Sequence, residues 1–186
     1  MKKLIMGLIA ATALIASTAM ALDLGVDVRR TSGSLDADLY SFHLDKALTL
    51  PVLGDSVLSG ETETVVSGSQ MVSHLYAVGA GVSRTYNGVK VTPFVQFGQI
   101  LNVDAVNQKF YGVGAKADYK VAGIVSVGAE YRFRDVLSGP HGVENRTSEA
   151  VNVALTANHT VGLVAQQYFG TEPSYHTVGV SYKYSF

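Results

Sequence analysis

The 186-residue chain contains no cysteine and no tryptophan. Without a thiol there is no disulfide framework, no thiolate metal site and no cysteine nucleophile. Charge is also scarce. Asp, Glu, Lys and Arg make up 16% of the residues, where about a quarter is usual for a soluble domain. The formal net charge is -1, and after Lys2-Lys3 the only adjacent basic pair is Arg29-Arg30. Phosphate binding needs a concentrated basic surface, so nucleic acid is an unsuitable partner. The Arg29-Arg30 pair is expected at a strand end near a loop. The length is that of one domain.

Long apolar runs are missing after residue 21. Before it, Met1-Lys2-Lys3 is a short positive start, Leu4 to Ala16 is apolar, and Ala19 and Ala21 place small residues at -3 and -1 before Leu22. This is the pattern of a cleaved secretory signal peptide. The run is too short for a spanning helix, which needs about 20 predominantly apolar residues. The expected organisation is a signal peptide over 1–21 and one domain over 22–186. Such a domain either crosses a membrane as strands or is soluble in the periplasm.

Glycine (19) and tyrosine (10) are plentiful, and the apolar residues of the mature region recur at every second position. That is the period of a strand. Val178, Val180, Tyr182, Tyr184 and Phe186 alternate with Thr177, Gly179, Ser181, Lys183 and Ser185. Val125 to Arg134 and Tyr111 to Tyr119 split in the same way and are expected to be neighbours joined by a tight turn at Lys120 to Gly123. Asn87-Gly88 suits a type I′ hairpin turn, because both residues accept positive φ. Its register sets Tyr86 against Val89, Arg84 against Val91 and Ala80 against Val95, with a bulge expected at Pro93. A first hairpin is expected to set Leu22, Leu24 and Val26 against Leu44, Phe42 and Tyr40, and Arg30 against Asp36. Further strands are expected over Glu149 to Ala157 and Val161 to Phe169, with a turn at Asn158-His159-Thr160. For the Val161 strand, the residues support either face as the apolar one.

Alternation does not say which face is outside, because a soluble ligand-binding barrel shows the same pattern inverted. The polar face mixes glycine and serine with charges of both signs, which suits a narrow lumen crossed by ion pairs. Aromatic residues sit near strand ends, where a ring can rest at headgroup level. Lipid leaves only a closed barrel as a way to span with strands, and about 9 to 11 tilted residues suffice per strand. The ending Tyr182-Lys183-Tyr184-Ser185-Phe186 resembles the C-terminal assembly signal of bacterial outer-membrane proteins. Gly112 to Ala115 and Gly128 to Phe133 resemble the small barrels of the OmpA/OmpX type.

That resemblance implies an all-β, antiparallel up-and-down transmembrane barrel of eight to ten strands in the outer membrane of a Gram-negative bacterium. It implies outer-membrane lipid, lipopolysaccharide and the barrel-assembly machinery as partners, and a monomer. Both chain ends then face the periplasm, so the strand number is even. The weak segment Val57 to Ser67 makes the total ten if it is a strand. The Asp135 to Thr147 and Gly170 to Ser174 connections then lie outside the cell.

Asp27, Arg29, Lys116, Asp118, Glu130, Arg132 and Lys183 fall on the inward face and are expected to form a charge network closing the lumen. No catalytic, cofactor or metal site is expected. His43, His74, His141, His159 and His176 have no ligand spacing, and His141 with Glu144 lacks a nucleophilic third partner. A non-enzymatic barrel with a structural or surface-interaction role is the leading expectation. A narrow channel for small solutes is the alternative, followed by a rim enzyme and by a soluble periplasmic barrel.

Overall fold

The computed structural model describes residues 21–32, 36–103, 106–138, 143–170 and 174–186. The first twenty residues, Ala19 among them, and His141 lie outside the described residues. Eleven strands follow in chain order among the described residues: β1 (Leu22–Ser32), β2 (Asp38–Leu50), β3 (Gly54–Ser67), β4 (Gln70–Val82), β5 (Arg84–Tyr86), β6 (Val89–Asn102), β7 (Gln108–Ala122), β8 (Val125–Ser138), β9 (Val143–Ala154), β10 (His159–Phe169) and β11 (Tyr175–Ser185). Each pairs antiparallel with its sequence neighbour, β4 and β5 together pair with β6, and β1 pairs with β11. β4 and β5 are two parts of one stave interrupted at Ser83. The result is a closed up-and-down barrel of ten staves, so the Val57 to Ser67 segment is a strand and the even count is ten.

The registers also define the stagger. Cross-strand neighbours lead from Thr49 through Asp55, Ser83, Thr92, Lys116, Glu130, Ser148, Gln166, Thr177 and Thr31 to Ala37, twelve residues from Thr49 on the same strand. A stagger of that size tilts the strands to the barrel axis, by about 35–45° in typical barrels. The start of β1 and the end of β11 lie at one rim, the chain-end rim, where the Phe186 amide donates to the Leu22 carbonyl at 3.0 Å. The Asn87-Gly88, Gly123 and Asn158 turns share this rim, and β1, β3, β6, β8 and β10 end at the other.

Asn87 and Gly88 have φ of 50° and 83°, the pair of values a type I′ turn needs. Tyr86 pairs with Val89, Arg84 with Val91 and Ala80 with Val95, as expected. Pro93 produces no bulge. The register is the same on both sides of Val82 and Ser83, and the ladder lapses where Val82 stands opposite Pro93, which has no N–H. The first hairpin is a correction: Leu24 faces Leu44, Val26 faces Phe42 and Arg30 faces Asp38. The pairing is shifted by two residues, which leaves every side chain on the expected face. Arg30 still reaches Asp36 at 3.0 Å. β8 runs to Ser138 and β9 begins at Val143, so most of the Asp135 to Thr147 connection is strand. β9 ends at Ala154 and β10 starts at His159, so the turn there is 155–158 rather than 158–160.

The wall is apolar outside and polar within. Val78, Phe97, Leu163, Val178 and Val180 are 57–67% exposed, while Arg29, Arg132, Arg134 and Arg146 are at most 4% exposed. β10 resolves the open face. Val161 and Leu163 point out, whereas Val164, Gln166 and Tyr168 are buried inside, so two large inward residues masked the alternation. Glycine on one strand makes room for a bulky inward neighbour on the next. Gly98 lies beside Phe110, Gly112 beside Gln96, Gly114 beside Phe94 and Gly179 beside Arg29. A Cβ at Gly114 would collide with the Tyr131 carbonyl and the Phe94 ring. Gly114→Val should therefore lower unfolding stability by about 1–3 kcal/mol, read as a lower urea midpoint for loss of heat-modifiable gel migration. Gly123→Val, with nothing within 4 Å of the new atom but φ of 48°, should be destabilising only through its backbone.

Candidate functional site: the lumen

The inward residues of alternating strands converge in a layer across the barrel. Arg29 on β1 donates to the Gln166 and Ser41 side chains, to Tyr168 Oη at 3.2 Å and to Glu63 Oε2 at 2.6 Å. Arg132 on β8 reaches across to Glu61 on β3 at 2.7 Å and to Gln96 on β6 at 3.2 Å. Arg146 on β9 donates to Glu130 at 2.6 Å and lies 3.6 Å from Glu61, on the far side of the ring of strands. Lys116 sits 3.7 Å from the other oxygen of Glu130. Four arginines and four glutamates, with Arg134 paired to Glu144 at 3.1 Å, thus balance within a buried layer, and the half-exposed Lys116 adds a fifth cation at its edge. Uncompensated ions there would be very costly.

Toward the rim opposite the chain ends, a second layer is apolar. Leu39, Leu75, Phe110 and Tyr168 are at most 5% exposed. The Arg134 guanidinium lies over the Phe110 ring at 4.4 Å, and Tyr168 stacks on Tyr175 with centroids 4.4 Å apart. On the chain-end side of the arginine layer the lumen opens into a cavity of about 580 Å³. Glycine and serine line much of it, together with Asp23, Asp27, Asp45, Lys90, Asp118 and Lys183.

Of the expected network residues, Arg29, Lys116, Glu130 and Arg132 are drawn into the layer. Their partners differ from those suggested by sequence proximity. Arg132 binds Glu61, not Glu130, and Lys116 binds Glu130, not Asp118. Asp27 instead holds His43 Nε2 at 2.8 Å, Asp118 lies on the cavity wall across the ladder from Lys90, and Lys183 meets Asp23 at 3.4 Å near the mouth. Glu61, Glu63, Glu144 and Arg146 join the layer without having been singled out by the sequence, as does Arg134, which the alternation along β8 already puts on the inward face. Glu61 and Glu63 alternate within β3, the weakest strand pattern, so the signal was present but its register was unknown. Glu144 is a correction to the outer-loop pairing with His141: it lies on β9, inside the barrel and bound to Arg134.

The Asp27–His43 pair is the nearest approach to catalytic geometry. No hydroxyl lies within hydrogen-bonding distance of that ring among the described residues, which leaves the pair without a nucleophile. His74 points outward between Thr62 and Thr64, at 3.0 and 2.6 Å. His159 contacts Tyr182 Oη at 2.6 Å at the chain-end rim, and His176 lies at the opposite end of β11. Among the described residues no group of three His, Asp or Glu side chains is placed to hold a metal ion. Tyr182 and Phe186 of the terminal segment face outward, 41% and 65% exposed, and the Tyr184 ring meets Phe186 edge-on with centroids 4.6 Å apart.

No protein-family model and no curated protein matches the chain. Solved structures do. The crystal structure of the β domain of the Bordetella autotransporter BrkA matches with a TM-score of 0.51 and 12% identity, over 89% of this chain and 98% of that one. The KdgM porin in complex with disordered oligogalacturonate matches with a TM-score of 0.50 and 9% identity, over 89% and 99%. At such identities the likeness is one of fold. Together with the closed ten-stave topology, it gives the chain the fold of small outer-membrane β-barrels and porins.

Glu61 serves two arginines at once, and its removal leaves buried Arg132 with no carboxylate and Arg146 with Glu130 alone. Glu61→Ala should cost about 3–5 kcal/mol, the usual loss when one partner of a buried ion pair is deleted. Lys183→Ala, at the half-exposed mouth, should cost about 0–1 kcal/mol. Urea titrations of the two variants in the same detergent check the contrast.

Proposed function

We propose that the chain is a non-enzymatic outer-membrane barrel with a structural or surface-interaction role, and that the arginine–carboxylate layer with its apolar cap closes the lumen. What supports this reading above all is that Arg132 and Arg146 both reach Glu61 from distant staves. A side chain bridging the barrel occupies the path a solute would take. The apolar cap toward the outer rim adds a second obstruction. A water-filled pore has no need of Leu75, Ala77 and Phe110 packed together inside it.

In this reading, residues 1–21 direct export and are removed after Ala21. Tyr182, Tyr184 and Phe186 are recognised during insertion by the assembly machinery, and the apolar wall meets outer-membrane lipid and lipopolysaccharide. The chain-end rim faces the periplasm, so the 580 Å³ cavity is a blind vestibule open on that side. A narrow channel for small solutes is the second reading, favoured by this vestibule, which leaves only part of the lumen filled.

Purified protein in planar bilayers should show no nanosiemens conductance steps, and the double variant Glu61→Ala, Arg146→Ala should acquire them. Steps from the unaltered protein would establish the channel instead. The mature protein should sediment with outer membranes and have the mass of a chain beginning at Leu22. Recovery in the soluble periplasmic fraction would remove the membrane reading altogether.

A further inference from the structure

Among the described histidines, His43 alone lines the central cavity. Its side chain is 31% exposed there, so the ring exchanges protons with solvent in the cavity. Nε2 lies 2.8 Å from Asp27 Oδ2 on β1. Gly25, directly opposite His43 on β1, leaves the room for this tilt. The Cδ2 edge of the ring lies over it, 3.8 Å from where a Cβ would stand. Nδ1 occupies the other edge and is turned away from β1, on the side of β3. It has no hydrogen-bond partner among the described residues.

Across the β2–β3 ladder His43 stands directly opposite Glu61. The Cβ atoms of such a pair are about 4.5–5.5 Å apart, which puts imidazole and carboxylate within side-chain reach. Glu61 Oε2 accepts from Arg132, while Oε1 is buried, makes no hydrogen bond and lies 3.6 Å from Arg146. A buried acceptor without a donor is rare and calls for an explanation. Here it stands beside a ring nitrogen without a partner. The charged groups facing His43 are Asp27 from β1, Asp45 beside it on β2, Glu61 from β3 and Lys116 from across the lumen. Asp23 on β1 is taken by Lys183, and Glu63 on β3 by Arg29. A neutral imidazole has one N–H and serves one carboxylate, whereas the imidazolium has two and serves both.

We propose that His43 is a proton-operated latch on the arginine layer: as imidazolium it donates Nε2–H to Asp27 and Nδ1–H to Glu61 Oε1, and on losing its proton it releases Glu61. Glu61 is the carboxylate on which Arg132 and Arg146 converge from distant staves, so the latch tightens the layer in acid and slackens it in base. A neutral ring that keeps its Nε2–H for Asp27 turns the Nδ1 lone pair toward the carboxylate, and attraction gives way to repulsion. Protonation of one histidine is thus the charge change, and the hold on Glu61 is what it biases. The cavity gives the proton a path from the chain-end rim. The effect on closure rests on the closed-lumen reading above, whereas the contact itself is open to test through stability alone. Because the contact belongs to the protonated form, the stability it adds is present in acid and lost as the ring deprotonates.

Urea midpoints measured in one detergent at pH 5 and pH 9 test the latch. The unaltered protein should lose roughly 1 M of midpoint at the higher pH, the size of one charge-assisted hydrogen bond divided by a typical urea slope. His43→Gln should remove that loss. Asp27→Asn takes away the Nε2 partner and should keep part of the loss, because the Glu61 contact remains; adding His43→Gln to Asp27→Asn should remove that part too. Equal losses with and without His43, or none left in Asp27→Asn, would overturn the proposal. Should a variant not fold, proton exchange at the His43 ring of the unaltered protein at pH 5 decides. A slowly exchanging Nδ1–H supports the contact, and one that exchanges as freely as in solvent overturns it. Conductance steps from the unaltered protein would end the closed-lumen reading and leave these midpoints unmoved, so the two failures are distinguishable.

Discussion

Closure of the hydrogen-bonded ladder is the constraint from which the rest of this molecule follows. In hydrocarbon a backbone N–H or C=O has no water to turn to, so an open sheet edge cannot persist there. β1 therefore pairs with β11 over ten residue pairs, and the first and last strands meet along their length. The stagger that closes ten staves also sets the tilt and the width of the interior. That interior is too narrow to be lined by large side chains on every strand and too wide to be filled by small ones.

The solution is a division of labour between neighbouring strands. Glycine on one stave gives way to arginine, phenylalanine or glutamine on the next, so a few long side chains reach across the lumen while the wall behind them stays thin. Arginine suits this task. Its planar, multi-donor head serves several acceptors at once, as Arg29 does with Glu63, Ser41, Gln166 and Tyr168. Glutamates at alternate positions of β3 then supply the counter-charge from the opposite side. Burying four such cations is tolerable only because the carboxylates are held at hydrogen-bonding distance.

Much of this was legible residue by residue. Alternation from Val178 to Phe186 and from Val125 to Arg134 specified strands, faces and neighbours, and Asn87-Gly88 specified one hairpin down to its register. Where the sequence misled, the cause was local. The first hairpin has no Asn-Gly turn to anchor it, so a two-residue slip kept every face correct and could not be detected. In β10, Tyr168 faces inward in the apolar cap and Val164 in the cavity wall, and this erased the contrast between the two faces. In β3, the outward Thr62 and Thr64 blurred the alternation that would have singled out Glu61 and Glu63.

The sequence by itself determined the class of fold and the composition of each wall, because period-two patterning and glycine content are properties of single strands. Only the tertiary structure decided which charges meet. Arg132 and Glu130 are close in sequence on the same face of β8, yet Arg132 binds Glu61 and Glu130 binds Arg146 and Lys116. Partner choice in a barrel depends on stave number, stagger and side-chain reach across the lumen, and none of these is written in any one segment of the chain.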